Sequence, residues 1–201
     1  MIVDDQKLIF IHIPKNAGTS VEAFLGNHPM IGIELKHISI SEVKKRFPKA
    51  YNSYRKFTII RNPYDRMVSW FFFLKKRIKT KYYETENFNE WIKNPLEIQK
   101  DINEYIDENI EMIKHLSNVK GFVNSNRFLD PQYTWIDDTV EVIKFENINE
   151  GMSSFFNKKI KLPVKNASNH GYYLKYYNQN SLDIVYKRYK KDFKKFNYKK
   201  I

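Results

Sequence analysis

The most informative segment of the chain is Phe10-Ile11-His12-Ile13-Pro14-Lys15-Asn16-Ala17-Gly18-Thr19-Ser20. The apolar run over residues 7–13 stops at a proline and is typical of a buried strand. Asn16-Ala17-Gly18 then predicts a loop, and Thr19 or Ser20 predicts the start of a helix that continues to residue 25. A strand, a loop and a helix in this order aim backbone N–H groups and the positive end of the helix dipole at one point. The segment therefore predicts an anion-binding loop.

The side chains of this loop indicate which anion it suits. Lys15 adds a mobile positive charge, and Thr19 and Ser20 add hydroxyl donors. The order differs from the ATP-binding pattern G-x-x-x-x-G-K-[ST], because the lysine precedes the glycine and the first glycine is absent. No apolar run ends in the Asp that would indicate a magnesium ligand. We expect a phosphate-like group bound without a metal-bridged triphosphate; an ordinary strand–turn–helix is the alternative.

A second strand–helix junction follows at residues 57–70. The run at 56–61 predicts a buried strand, and Asn62-Pro63 predicts a capped helix that extends to about residue 79. Arg61 lies at the carboxyl end of the strand, the edge where open α/β sheets bind ligands. Ser69, two turns into the helix, could add a hydroxyl donor to the phosphate recognition that an arginine provides. The alternative for Ser69 is a hydrogen bond to its own helix.

Strands alternate with helices along the rest of the chain. Residues 139–145 predict a third strand, and helices are predicted at 39–47, 94–116, 147–157 and in a final basic segment capped by Asn180 or Ser181. This alternation indicates an α/β fold, with a mostly parallel central sheet flanked by helices. No Gly/Ser-rich linker divides the chain, so we expect a single domain over 1–201.

Composition narrows the function classes further. The 201 residues carry a net charge of +12, and residues 158–201 hold 13 basic and 2 acidic side chains. A basic surface attracts nucleotides, acidic glycans, nucleic acids or membranes, although lysine also serves as a general solubiliser. The absence of cysteine excludes thiolate chemistry. Because no signal peptide and no membrane-spanning run is evident, we expect a cytoplasmic protein.

Two anion-binding junctions at one sheet edge suit a ligand with two separate phosphate-like groups. Together they resemble the sulfotransferases that use 3′-phosphoadenosine-5′-phosphosulfate (PAPS), specifically the carbohydrate-type branch. The loop at 10–20 resembles the one that holds the 5′-phosphosulfate. Arg61 and Ser69, eight residues apart, resemble the motif that holds the 3′-phosphate. Weaker similarities follow at Lys144-Phe145-Glu146-Asn147, Leu162-Pro163 with Asn166-Ala167-Ser168, and residues 192–198.

The resemblance implies a P-loop-like domain that takes PAPS as donor, releases 3′-phosphoadenosine-5′-phosphate (PAP) and requires no metal. It assigns Lys15 a catalytic role in stabilising the departing oxygen. It assigns the cofactor's 5′ end to the loop residues Lys15, Asn16, Ala17, Gly18, Thr19 and Ser20. Ala17 stands where the family often has glycine, and Asn16 where threonine is common. We expect the loop to keep its shape provided that φ at Ala17 is negative.

Sulfuryl transfer by in-line displacement needs a general base for the acceptor hydroxyl. Similar glycan sulfotransferases often place a histidine in the stretch that holds His37, and histidine titrates near neutral pH. His37 is therefore the predicted base, with Glu34, Glu146 and His170 as alternatives. His12, inside the predicted strand, is interpreted as structural.

The acceptor is expected to be a carbohydrate, such as a cell-surface glycan, because the C-terminal segment is basic and contains Tyr172, Tyr173, Tyr176 and Tyr177. Gln132 and Tyr133 are candidates to line the acceptor cleft. Two other functions compete with this one: a P-loop kinase-like phosphotransferase and a non-catalytic anion-binding protein. No nucleic-acid-binding motif is present, so we expect no nucleic-acid partner.

Overall fold

The computed structural model describes residues 1–26, 36–76, 87–109, 127–165 and 170–201. These residues form two compact units. Among the described residues, the first unit contains 1–61 and 132–165, and the second contains 62–109, 127–131 and 170–201. The expectation of a single domain over 1–201 stays a prediction.

The first unit is built on a four-stranded sheet in the described part of the chain. Its strands are β1 (Ile2–Val3), β2 (Leu8–Ile11), β3 (Arg55–Ile60) and β4 (Glu141–Lys144), in the spatial order β1-β2-β3-β4. β1 pairs antiparallel with β2, whereas β2–β3 and β3–β4 are parallel. The α/β class and the mostly parallel sheet are thus confirmed. The parallel pairing places the ends of β2 and β3 at the same edge of the sheet.

Four helices among the described residues belong to this unit, and two of them pack apolar residues into the core on the sheet. They are α1 (Gly18–Leu25), α2 (Ile40–Arg46), α3 (Pro48–Ser53) and α7 (Ile148–Phe156). β2 is buried along its whole length, which explains its unbroken apolar sequence. The main core cluster combines strand and helix residues: Val3, Leu8, Phe10, Val21, Leu25, Phe57, Ile59, Ile143, Met152, Phe155, Ile160 and Leu162.

Two helix starts differ in how well the sequence predicted them. At α2 the Ser39 side chain accepts from the Glu42 N–H, and the Glu42 carboxylate accepts from the Ser39 N–H, so a capping box opens the helix predicted at 39–47. At α1 the cap is Ala17, without a side-chain hydrogen bond, rather than Thr19 or Ser20. Ser20 is used elsewhere, because its Oγ accepts from the backbone N–H of Lys165 at 3.1 Å.

The second unit is helical in its described residues. It contains α4 (Pro63–Lys75), α5 (Phe88–Trp91), α6 (Pro95–Glu108) and α8 (Gln179–Lys195). Asn178 caps α8, in place of the predicted Asn180 or Ser181; its Oδ1 accepts from the Ser181 N–H. α4 contributes a buried face to the core of this unit. No helix among the described residues is both long and apolar enough to cross a membrane.

A buried arginine fixes one loop of the second unit. The Arg66 guanidinium donates to the carbonyl oxygens of Asp130 and Phe128, both at 2.9 Å. The Tyr189 hydroxyl donates to the carbonyl of Leu129, between them, at 2.9 Å. Three consecutive carbonyl groups are therefore satisfied by buried side chains, as buried polar groups require.

Candidate functional site

The loop between β2 and α1 has an unusual backbone. Lys15 and Ala17 both take left-handed conformations, with φ of 69° and 59°, whereas Asn16 between them does not have a positive φ. Alternation of this kind curves the chain so that successive N–H groups converge on one concavity, the geometry that binds anions in phosphate loops. The expectation of a negative φ at Ala17 is wrong. The turn into α1 requires the left-handed conformation that glycine adopts without strain.

The N-terminal end of α1 offers donors to this concavity. Ser20 and Val21 donate their N–H groups to the carbonyl of Ala17. In the part of the chain that the structure describes, the N–H groups of Ala17, Gly18 and Thr19 donate no hydrogen bond. The dipole of α1 adds partial positive charge at the same place. The half-buried Lys15 completes a site whose chemistry suits a phosphate or sulfate group.

The Asn16 side chain holds the loop in place and does not bind the anion directly. It is buried, and Nδ2 donates to the carbonyl of Ile59 at 2.8 Å and to Oε1 of Gln132 at 2.6 Å. Both amide hydrogens are therefore spent on holding the loop against the end of β3. Asn16 could reach an anion through its backbone but not through its amide nitrogen.

Arg61 is tied to the same loop. Its side chain is buried, its Nη1 donates to the carbonyl of Lys15 at 3.1 Å, and its guanidinium lies 4.2 Å from the centre of the Phe145 ring. Hydrogen bonding and stacking fix the plane of the guanidinium, as bidentate recognition of a phosphate requires. The two junctions predicted to bind anions, the loop and the end of β3, are therefore adjacent within the first unit.

Two histidines and a carboxylate lie beneath the loop. Nδ1 of His12 is 2.8 Å from Oε1 of Glu22, whose other oxygen is 2.9 Å from Nζ of Lys36. Nδ1 of His37 is 2.9 Å from the carbonyl oxygen of His12, and the two imidazole rings are 4.3 Å apart. A carbonyl oxygen only accepts, so Nδ1 of a neutral His37 carries the proton and Nε2 carries the lone pair. This is the tautomer that a general base needs.

The charge states in this cluster follow from its burial. Burial lowers the pKa of His12, and burial together with the neighbouring His12 holds the pKa of His37 well below its usual range. Burial alone would raise the pKa of Glu22, but the hydrogen bond from His12 and the charge of Lys36 bring it down to about 2. We infer an ionised Glu22 beside two neutral histidines at neutral pH.

Residues of the second junction that follow Arg61 belong to the second unit. Ser69 is buried on α4, and Asn62 caps that helix by accepting from the Tyr64 N–H at 3.0 Å. Nδ2 of Asn62 donates to the Tyr173 hydroxyl at 3.3 Å. The helix start at Asn62-Pro63 is thus confirmed.

The comparison with known families agrees with this geometry. The model described as "Sulfotransferase family" matches residues 1–199. The chain belongs to the sulfotransferase family. No curated protein and no solved structure matches it significantly. The match covers both junctions as well as the later segments that resembled the family, and it accounts for the P-loop-like arrangement of the sheet.

The other candidate bases of this sulfotransferase lie in different settings. Glu146 is exposed on the short turn Phe145–Asn147 of the first unit. His170, in the second unit, stacks on Phe72 with ring centres 5.6 Å apart. Glu34 lies outside the described residues, as do Asn166, Ala167 and Ser168. No group of three or more metal-ligating side chains occurs among the described residues.

Two residues of the sulfotransferase take roles that sequence reasoning missed. Gln132, a candidate for the acceptor cleft, is fully buried and bonded to Asn16 and Arg61, so it does not line a cleft. Glu22 holds His12, and sequence reasoning did not single it out. Its spacing of ten residues from His12 carries no recognisable signal, because strand and helix bring the two together through the loop.

Proposed function

We propose that this sulfotransferase moves a sulfuryl group from PAPS to a hydroxyl of a carbohydrate, such as a cell-surface glycan. One observation carries the proposal. A loop with converging, unused N–H groups lies beside a buried arginine at the edge of a parallel sheet. This pairing suits a ligand with two separated anionic groups, and PAPS has a 3′-phosphate and a 5′-phosphosulfate.

The loop residues and Arg61 divide the binding of the donor. The N–H groups of residues 16–19 hold the 5′ end, since that of Ser20 donates to Ala17, and the hydroxyls of Thr19 and Ser20 assist. Lys15 stabilises the negative charge that develops on the bridging oxygen as its bond to sulfur breaks. Arg61 holds the 3′-phosphate, and the family resemblance assigns Ser69 to the same phosphate. This scheme requires no metal ion.

His37 is the proposed general base. The acceptor oxygen forms the new bond to sulfur, its proton passes to Nε2 of His37, and the product PAP leaves with the electrons of the broken bond. The lowered pKa of His37 keeps the ring neutral at physiological pH, the state in which Nε2 can accept a proton. A His37→Ala variant should bind PAP normally and lose turnover by a factor of about 10²–10⁴. Unchanged turnover would remove His37 from the role.

Exposed side chains of the second unit support the proposal of a glycan acceptor. The lysines of α8 are exposed, and Tyr172 is 67% exposed and available to stack on a sugar ring. Tyr177 is instead structural, since its hydroxyl donates to the carbonyl of Tyr64 and its ring packs on Phe88. A screen of neutral and anionic glycans with PAPS labelled in its sulfate group would identify the acceptor.

Calorimetric titration is the decisive experiment for the donor. Purified protein is titrated with PAP in the absence of metal, and in parallel with ADP and with magnesium–ATP. We expect PAP to bind most tightly and Arg61→Ala to abolish most of that affinity. Preference for magnesium–ATP would favour a kinase-like phosphotransferase. Absence of nucleotide binding would favour a non-catalytic anion-binding protein.

A further inference from the structure

Gln132 links the two proposed anion-binding elements of the first unit. Its Oε1 accepts from the backbone N–H of Arg61 at 2.9 Å, and its Nε2 donates to the carbonyl of the same residue at 2.8 Å. A single amide thus pairs with both backbone groups of Arg61, as a neighbouring strand would. Its Oε1 also accepts from Nδ2 of Asn16 at 2.6 Å, so it holds the loop as well.

Two further hydrogen bonds complete the connection. Asn16 donates to the carbonyl of Ile59, and the Arg61 side chain donates to the carbonyl of Lys15. We call these five hydrogen bonds, formed by Lys15, Asn16, Ile59, Arg61 and Gln132, the Gln132 clamp. The side chains of Asn16 and Gln132 are buried within it. Hydrogen bonds shielded from water are stronger and hold their geometry better than exposed ones.

We propose that Gln132 is a positioning residue that fixes the distance between the anion-binding loop and the Arg61 guanidinium. The proposal rests on the function proposed above. A ligand with two anionic groups binds more tightly when this distance is fixed, because binding of the first group presents the second at a high effective concentration. A ligand with one anionic group gains nothing from it. Gln132 contributes selectivity for a nucleotide with two separate phosphate groups without touching the nucleotide itself.

A comparison of nucleotide affinities distinguishes a positioning role of Gln132 from a general contribution to stability. Three ligands are compared: PAP, with both phosphates, and 5′-AMP and 3′-AMP, with one each. The Gln132→Met variant keeps the length of the side chain and removes its amide. The substitution removes three buried hydrogen bonds of the clamp. We expect PAP affinity to fall roughly 10- to 100-fold, because only part of that loss is felt in binding. The affinities for 5′-AMP and 3′-AMP should change by less than about threefold.

Thr58→Val is the matched control. Thr58 is buried in β3, its Oγ1 donates to the carbonyl of Ile11 at 2.7 Å, and valine has nearly the same shape. Oγ1 also lies 3.5 Å from the carbonyl oxygen of Ile59. The substitution removes these buried contacts from the same sheet, while every donor and acceptor of the clamp stays in place. It should lower the melting temperature without changing the ratio of PAP affinity to AMP affinity.

Equal losses for all three nucleotides, or unchanged PAP affinity in Gln132→Met, would overturn the positioning role. If the wild-type protein does not bind PAP, the proposed function fails, and this inference fails with it. Should Gln132→Met not fold, Gln132→Asn provides the second test. The side chain stays neutral but is one methylene shorter, so its amide no longer reaches Asn16 and Arg61 together, and PAP should again lose more affinity than the monophosphates.

Discussion

Ala17 holds a left-handed backbone conformation that costs a residue with a Cβ about 1–2 kcal/mol. Ala17→Gly removes this strain, while the greater freedom of glycine in the unfolded chain costs about 0.4–1 kcal/mol. We therefore expect the free energy of unfolding to rise by about 0.5 kcal/mol, with unchanged affinity for PAP. Urea denaturation and calorimetry check both quantities.

Ala17→Val should be clearly destabilising, because β-branched residues rarely adopt this conformation. A valine variant as stable as the wild type would contradict this account of Ala17.

Gly18 is required for a different reason, since a Cβ there would overlap the imidazole of His12. That ring is buried and held by Glu22, so it has little room to move. Gly18→Ala should destabilise the protein by about 1–3 kcal/mol, the usual range for overpacking a core, and should also weaken PAP binding.

Gly171→Ala is the control for this substitution. A Cβ at Gly171 would meet Nζ of Lys175 at 2.8 Å, the mobile end of an exposed side chain. Thermal denaturation should show little change for Gly171→Ala. Equal effects at the two glycines would mean that the His12 contact does not explain Gly18.

At the scale of elements, the cap of α2, Ser39, lies two residues after His37, so it fixes the chain next to the proposed base. Ser39→Ala removes one half of the capping box. The expected loss is about 1 kcal/mol of unfolding free energy. Ser53→Ala, which removes an exposed hydrogen bond within α3, should cost much less and serves as the control. Equal losses for the two serines in chemical denaturation would count against a special role of this cap.

The buried cluster of His12, Glu22 and His37 makes the free energy of unfolding depend on pH. The pKa values of His12 and His37 lie below 6.5 in the folded protein, and that of Glu22 is about 2 instead of 4.5. A group with a lowered pKa binds protons more readily when unfolded, so stability falls as the pH falls. The histidine contribution is complete above pH 6.5 and is lost below it; the Glu22 contribution is lost below pH 4.5.

Urea unfolding across this pH range measures the effect. The midpoint should stay constant above about pH 7 and drop as the pH falls from about 6.5 to 5. His37→Gln should flatten the drop, whereas the control His170→Gln, which replaces a half-buried histidine outside this cluster, should leave it unchanged. A wild-type midpoint that does not change down to about pH 5 would contradict the charge states inferred for the cluster.

The main elements could be predicted because their signals are local. Apolar runs located β2, β3 and β4, and the pairs Ser39–Glu42 and Asn62–Pro63 marked two helix starts. β1 was missed because two residues carry no periodicity. The left-handed backbone of Ala17 was missed because alanine gives no sequence signal for a positive φ. Gln132 was misplaced because its partners Asn16 and Arg61 are 116 and 71 residues away in the chain, and only the fold brings them together.

At the scale of the whole molecule, charge is concentrated on α8. Its exposed lysines recur at helical spacing and form one stripe opposite a buried face: Lys187, Lys190, Lys191, Lys194 and Lys195. Like charges arranged in this way attract a polyanion through long-range, salt-sensitive interactions. The stripe agrees with an anionic glycan as acceptor. The glycan acceptor and the cytoplasmic location both stay predictions.

Replacing Lys187, Lys190 and Lys194 with glutamine tests the stripe. The triple variant should elute from a sulfated-polysaccharide column at lower salt, with PAP affinity unchanged. Its control replaces three exposed lysines of the first unit, Lys45, Lys49 and Lys159, and so removes the same charge elsewhere. The control should elute later than the α8 variant. Equal elution of the two variants would show that net charge, rather than the stripe, governs retention.

The Gln132 clamp also has a consequence for the speed of binding. Its hydrogen bonds join the chain's own atoms, so an arriving nucleotide does not have to assemble this part of its site. Binding to a preformed site is governed by diffusion and charge, and related ligands then differ mainly in how fast they leave. Nucleotides of the same charge should therefore associate at similar rates and be distinguished by their residence times. This sulfotransferase would then select among nucleotides through their dissociation rates and not through their association rates.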